Sequence, residues 1–109
     1  MLKIEGTKIE LTRGDTLYLT VRLKNADGTD YEPAQGDRVW FRMKKHASDT
    51  ESVIYKEFDL SAMTIKIDPQ DTEDLTVGYN YPYNIRAVRE NTDVATPILG
   101  VFVPTQEVG

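Results

Sequence analysis

The chain has 109 residues, no cysteine, and 18 acidic against 13 basic residues, for a formal net charge of −5. That length suits one domain able to bury roughly two thirds of its unfolded surface without a disulfide or a metal. The missing cysteines exclude thiol catalysis, zinc–thiolate sites and disulfide frameworks, and the acidic balance argues against phosphate backbones, so nucleic acid is not expected as a partner.

The start, Met1-Leu2-Lys3-Ile4-Glu5-Gly6, has no apolar run of signal-peptide length, and no later segment is long enough to span a bilayer. A cytoplasmically made chain with no cleavable leader and no membrane partner is therefore expected. Lys8 to Leu11 predicts a first strand with Ile9 and Leu11 on one face, stopped by the turn Thr12-Arg13-Gly14-Asp15-Thr16. Next, Leu17, Leu19, Val21 and Leu23 alternate with Tyr18, Thr20, Arg22 and Lys24, the cleanest period of two in the chain. Asn25-Ala26-Asp27-Gly28-Thr29 reads as a hairpin turn, after which Tyr31 and Glu32 pair briefly until Pro33 stops them.

Arg38 to Lys44 is a second strong strand, with Val39, Phe41 and Met43 on one face and Arg38, Trp40, Arg42 and Lys44 on the other. If the aliphatic face is core, Trp40 points away from it. A polar loop spans Lys45 to Ser52, and extended pattern resumes over Val53 to Phe58 and again at Met63, Ile65 and Ile67. Asp68 then makes a good N-cap with Pro69 at the first helical position, Leu75 closes the turn on the core, and Gly78 lets the backbone bend. Tyr79, Tyr81, Tyr83 and Ile85 share one parity in the long strand that follows. The last strand carries Ile98, Gly100 and Phe102 on one side and Leu99, Val101 and Val103 on the other, bracketed by Pro97 and Pro104, and Thr105 to Gly109 reads as a tail. The sum is one all-β domain over residues 1–109, with about seven antiparallel strands and one short helical turn before the penultimate strand.

In order, Arg13-Gly14-Asp15-Thr16 before an alternating strand, the Asp-Gly hairpin, Ile67-Asp68-Pro69 leading through Asp71-Thr72 and Leu75 to Gly78, Tyr81-Pro82-Tyr83-Asn84-Ile85, and Gly100 in the last strand resemble a known group. They are similar to the small immunoglobulin-like β-sandwich proteins of tailed bacteriophages and prophages, including the N-terminal domain of upper baseplate proteins. Two features depart from that group: Gly78 stands one residue further from Tyr81, and Asn84 replaces an Asp. The antibody-type cysteine pair is absent, and Trp40 has the opposite parity to a buried sandwich tryptophan. The resemblance implies a non-enzymatic virion structural or assembly protein of a tail or baseplate, without cofactor. Its expected partners are other phage structural proteins or a second copy of itself.

Each candidate site has a plainer reading. Arg13-Gly14-Asp15 has the letters of an integrin ligand, but Gly and Asp punctuate turns for backbone reasons. Asp68, Asp71, Glu73 and Asp74 offer oxygen ligands for calcium, yet lack the spacing of a loop-type site and suit the positive end of a helical turn. His46 is the single histidine, in a polar loop with no nucleophile motif beside it, so no catalysis is expected. Lys44-Lys45-His46 reads as a solvated turn. The tyrosines of the long strand offer a sugar-binding platform, the competing function of a carbohydrate- or receptor-binding module, although a stripe continuing into Ile85 favours core. Trp40 between Arg38 and Arg42 is the candidate protein contact, since Trp and Arg dominate binding hot spots; the plainer expectation is that a loop or the tail covers it.

Overall fold

Two-residue alternation sorts this chain into faces, and the computed structural model shows where those faces meet; it describes residues 2–106, with side chains from Gly6 onward. Its elements are β1 (Leu2–Glu5), β2 (Lys8–Thr12), β3 (Leu17–Thr20), β4 (Arg38–Met43), β5 (Ile54–Glu57), β6 (Thr64–Ile67), α1 (Pro69–Thr72), β7 (Tyr81–Arg89), β8 (Thr92–Asp93) and β9 (Ile98–Thr105). The larger sheet runs β1-β2-β9-β7-β4-β5, with β8 hanging on the end of β7, and β3 pairs with β6 in a second sheet. The fold is all-β. Leu19, Phe41, Ile65 and Ile85, drawn from four strands of the two sheets, are 9%, 0%, 4% and 2% exposed and share one hydrophobic cluster.

Several expectations need correction. The described residues hold eight strands of four or more residues and a ninth of two, not seven. β1 escapes a two-residue pattern reading because it is short and charged; it forms a hairpin with β2 around Gly6, whose φ of 58° suits a tight turn. Not every pair is antiparallel. β2 lies parallel to β9, with Lys8 opposite Val101 and Leu11 opposite Pro104. These strands are far apart in sequence, so no hairpin fixes their direction. The helical turn stands before β7, which is followed by both β8 and β9 and is not penultimate.

Boundaries also shift. The strand expected from Leu17 to Lys24 ends at Thr20, because the chain then leaves β6: Val21 N–H still reaches Met63 O at 3.0 Å, but Leu23 and Lys24 turn to a small hairpin closed on Tyr31 and Asp30. Its turn is the expected Asp27-Gly28, with Gly28 at φ 88°. Pro104 lies inside β9 instead of stopping it. Pairing with β7 ends at Phe102, so beyond that point β9 has one neighbour and a missing N–H breaks no ladder on the open side. Thr105 ends this strand and is not tail, whereas 107–109 lie outside the described residues.

The Arg13-Gly14-Asp15 turn carries the chain from the large sheet to the small one. Gly14 takes φ 89°, its N–H donates to the Thr72 hydroxyl at 2.8 Å, and the Arg13 guanidinium donates to Leu75 O at 3.1 Å. The turn is thereby clamped to α1 and its continuation, and Thr72 is fully buried. The helix start is as expected: Asp68 stands at the N-cap with Pro69 behind it, and the Asp71 carboxylate accepts the Asp68 N–H at 2.7 Å.

Gly100 permits the closest approach in the sheet. A Cβ there would collide with the Thr7 carbonyl and meet the Tyr83 ring at 2.6 Å, where the Tyr83 hydroxyl donates to that same carbonyl at 2.6 Å.

Asp37, just before β4, is the one fully enclosed carboxylate in the described ion pairs. It accepts from Tyr31 Oη at 2.6 Å, Ala34 N at 3.0 Å and Arg89 at 2.6 and 3.1 Å. The Arg89 guanidinium holds its carboxyl well below the usual range, against the opposing effect of burial. Burial and the Asp37 hydrogen bond together push the Tyr31 phenol above its ordinary value.

Candidate protein-contact face

Because β4 alternates, its inward residues Val39, Phe41 and Met43 are at most 1% exposed while Trp40 and Arg42 point the other way. Register sets the neighbours of that outward row. Trp40 lies opposite Glu57 on one side and Arg86 on the other, and Arg42 lies between Tyr55 and Asn84, with Leu99 beyond. Sequence spacing thus places Arg38, Trp40 and Arg42 together, and the fold adds Tyr55, Asn84 and Leu99 from three other strands.

The expected ladder is present. Arg38 and Arg42 place their guanidinium carbons 5.6 and 5.7 Å from the Trp40 ring centroid, and Arg42 also lies 5.0 Å from that of Tyr55. The two rings are 6.4 Å apart and tilted by 38°. Trp40 is half-buried, and its described ring and guanidinium contacts are with side chains of its own sheet; the end of the tail, 107–109, lies outside the described residues.

The cations on this face differ in how they are held. Arg38 donates to Glu57 at 3.0 Å and to the Tyr55 hydroxyl at 3.2 Å, and Arg86 is bidentate to Asp93 at 2.6 and 3.2 Å. Arg42 and Lys44 have no carboxylate partner among the described residues. In addition, Arg42 Nε and Asn84 Oδ1 are covered from solvent with no hydrogen-bond partner among the described residues. Beside them lies a hollow of about 210 Å³, lined by Arg42, Lys44, Pro82, Asn84 and Leu99 among others. Leu99, at its rim, is 71% exposed. No sequence pattern signals the hollow, because it depends on which strands become neighbours.

Other candidates fall into structural roles. Asp68 and Asp71 meet Lys56 at 3.8 and 2.9 Å, and Asp68 also meets Lys66 at 3.3 Å; among the described residues no acidic or histidine cluster has the form of a metal site. His46 sits in an exposed loop, its Nδ1 3.3 Å from the Tyr79 hydroxyl, which donates to Lys45 O at 2.7 Å. The tyrosine stripe divides: Tyr81 and Tyr83 are 4% and 6% exposed, with Tyr83 stacked on Phe41 at 5.0 Å, whereas Tyr79 precedes β7 and is only partly buried. Among the described residues no helix is long and apolar enough to cross a membrane. Comparisons of the chain with protein-family models, with curated proteins and with solved structures find no match in any of the three.

Proposed function

We propose that this chain is a non-enzymatic structural or assembly protein of a phage or prophage tail or baseplate, an immunoglobulin-like β-sandwich that works through protein contacts. The order of short motifs along the sequence supports the family reading, and two sheets closing on one core support the architecture. The observation that carries the functional reading is the outward row Tyr55, Arg42, Asn84 and Leu99 beside Trp40. It combines fixed aromatic and guanidinium groups with an exposed aliphatic side chain, the composition of interface hot spots.

A carbohydrate platform is the weaker reading. Sugars stack on open ring faces, and here guanidinium groups stand against Trp40 and Tyr55 while Tyr81 and Tyr83 face the core. Mass spectrometry of purified particles from the source strain is the direct test. Stoichiometric presence of the chain, abolished in a Trp40→Ala strain whose protein still melts well above growth temperature, is the expected result. Absence of the wild-type chain from particles and from assembly intermediates would end the phage attribution.

A further inference from the structure

The geometry points to an occupant for the hollow between β4 and β9: an extended acidic segment of a partner protein, with a carboxylate on Arg42 and Lys44 and an aliphatic side chain on Leu99. This rests on the reading of the outer face as a docking surface, and adds what docks there.

Charge is the first argument. The chain carries a net −5, yet this face presents Arg38, Arg42, Lys44 and Arg86 against Glu57 and Asp93. Both of those carboxylates are engaged by Arg38 and Arg86, which leaves Arg42 and Lys44 without a carboxylate among the described residues where the hollow opens. Asp49, the acid of the adjoining loop with a described bond, accepts from His46 N at 3.2 Å and serves that loop. The Arg42 guanidinium lies against two rings with its charge still available, the condition for a charge-assisted hydrogen bond to a carboxylate.

Hydrogen bonding is the second. A buried donor and a buried acceptor without partners cost about 1–3 kcal/mol each. Arg42 Nε and Asn84 Oδ1 are such a pair on adjacent strands, and they are covered while the face is empty. A guest that turns the Arg42 head outward frees Nε to find an acceptor, and a peptide unit brings both an acceptor and a donor. A free ionised carboxylate brings acceptors only and leaves Asn84 Oδ1 as it is.

Spacing is the third. From β4 to β9 is two inter-strand steps, about 10 Å, which an extended peptide covers in about three residues. The cations stand at the β4 side and Leu99 at the β9 side, and successive side chains of an extended peptide point to opposite faces, so acid and aliphatic residue belong two positions apart, with the long Arg42 and glutamate side chains covering the remaining distance.

Trp40 is the single tryptophan and touches Arg42, so its fluorescence reports the site directly. The full chain is titrated with a terminally blocked peptide of repeated Leu-Ser-Glu-Ser and with its Leu-Ser-Gln-Ser counterpart, at low and high salt. Saturable quenching by the Glu peptide is expected, at least tenfold weaker for the Gln peptide, weakened by salt, and at least tenfold weaker in both Arg42→Gln and Lys44→Gln proteins of unchanged melting temperature. A shift of the Arg42 Nε–H resonance on saturation is the matching spectroscopic signature. Equal binding of the two peptides, or binding insensitive to both substitutions, overturns the acidic-segment assignment. So does salt-sensitive self-association that is lost in Arg42→Gln, because it places a second copy on the face. Loss of particle assembly in Trp40→Ala with no response to the Glu peptide overturns this inference alone and leaves the docking reading standing.

Discussion

The same three strands, β4, β7 and β9, build two faces that obey different rules. Inward, Val39, Phe41, Met43, Ile85, Ala87 and Phe102 are all 2% exposed or less and carry no polar side chain. Outward, Trp40, Arg42, Asn84 and Leu99 leave two polar atoms unpartnered and one leucine in solvent. One residue along the strand separates a filled position from an unfilled one. The inner face contributes stability, and the outer face keeps groups that a folded monomer does not need satisfied.

Substitutions sharpen the contrast. Phe41→Ala removes a ring at 0% exposure stacked on Tyr83, and is expected to cost about 3–5 kcal/mol in urea unfolding. A loss under 1 kcal/mol would mean that the inner face is not close-packed. Asp37→Asn, just before β4, is expected to cost about 2 kcal/mol, because it weakens four hydrogen bonds at a sealed carboxylate. The sign of the pH effect follows from the depressed Asp37 value: its contribution is full above the unfolded pKa, about 4, and is lost as pH falls below that toward the folded value. Melting temperature measured from pH 6 down to 2.5 should fall less steeply in Asp37→Asn than in wild type; parallel curves would remove Asp37 as a source of acid sensitivity.

On the other face, Trp40→Ala is expected to cost about 1 kcal/mol, the scale of an exposed cation–π ladder. Leu99→Ser is the smallest, within about 0.5 kcal/mol, because the side chain is already 71% exposed. If calorimetry gave Leu99→Ser a loss like that of Phe41→Ala, the two faces would not differ in the way described.

Much of this contrast is legible in the sequence, and the reason is periodicity. Arg38 to Met43 announces its core row and its outward Trp40, and Asp68-Pro69 with Leu75 announces the helical turn. Pairing partners are another matter. Nothing local in Lys8 to Thr12 specifies a parallel neighbour at Ile98 to Thr105, and nothing near Arg42 specifies Asn84 or Leu99 beside it. Asp37 was hidden for the same reason: its partner Arg89 lies at the end of another strand. Local spacing gives a residue its face, while long-range pairing gives it its company.

The parallel pairing of β2 with β9 has a kinetic consequence. A sheet in which β2 sits between its hairpin partner β1 and the distant β9 stays open at its middle until β9 has been made. An emerging polypeptide must hold β2 with one edge unclaimed, so refolding is expected on the milliseconds-to-seconds scale of non-local topologies. Stopped-flow fluorescence of Trp40 would time that wait, and a newly made chain stalled before residue 98 should be digested readily by protease.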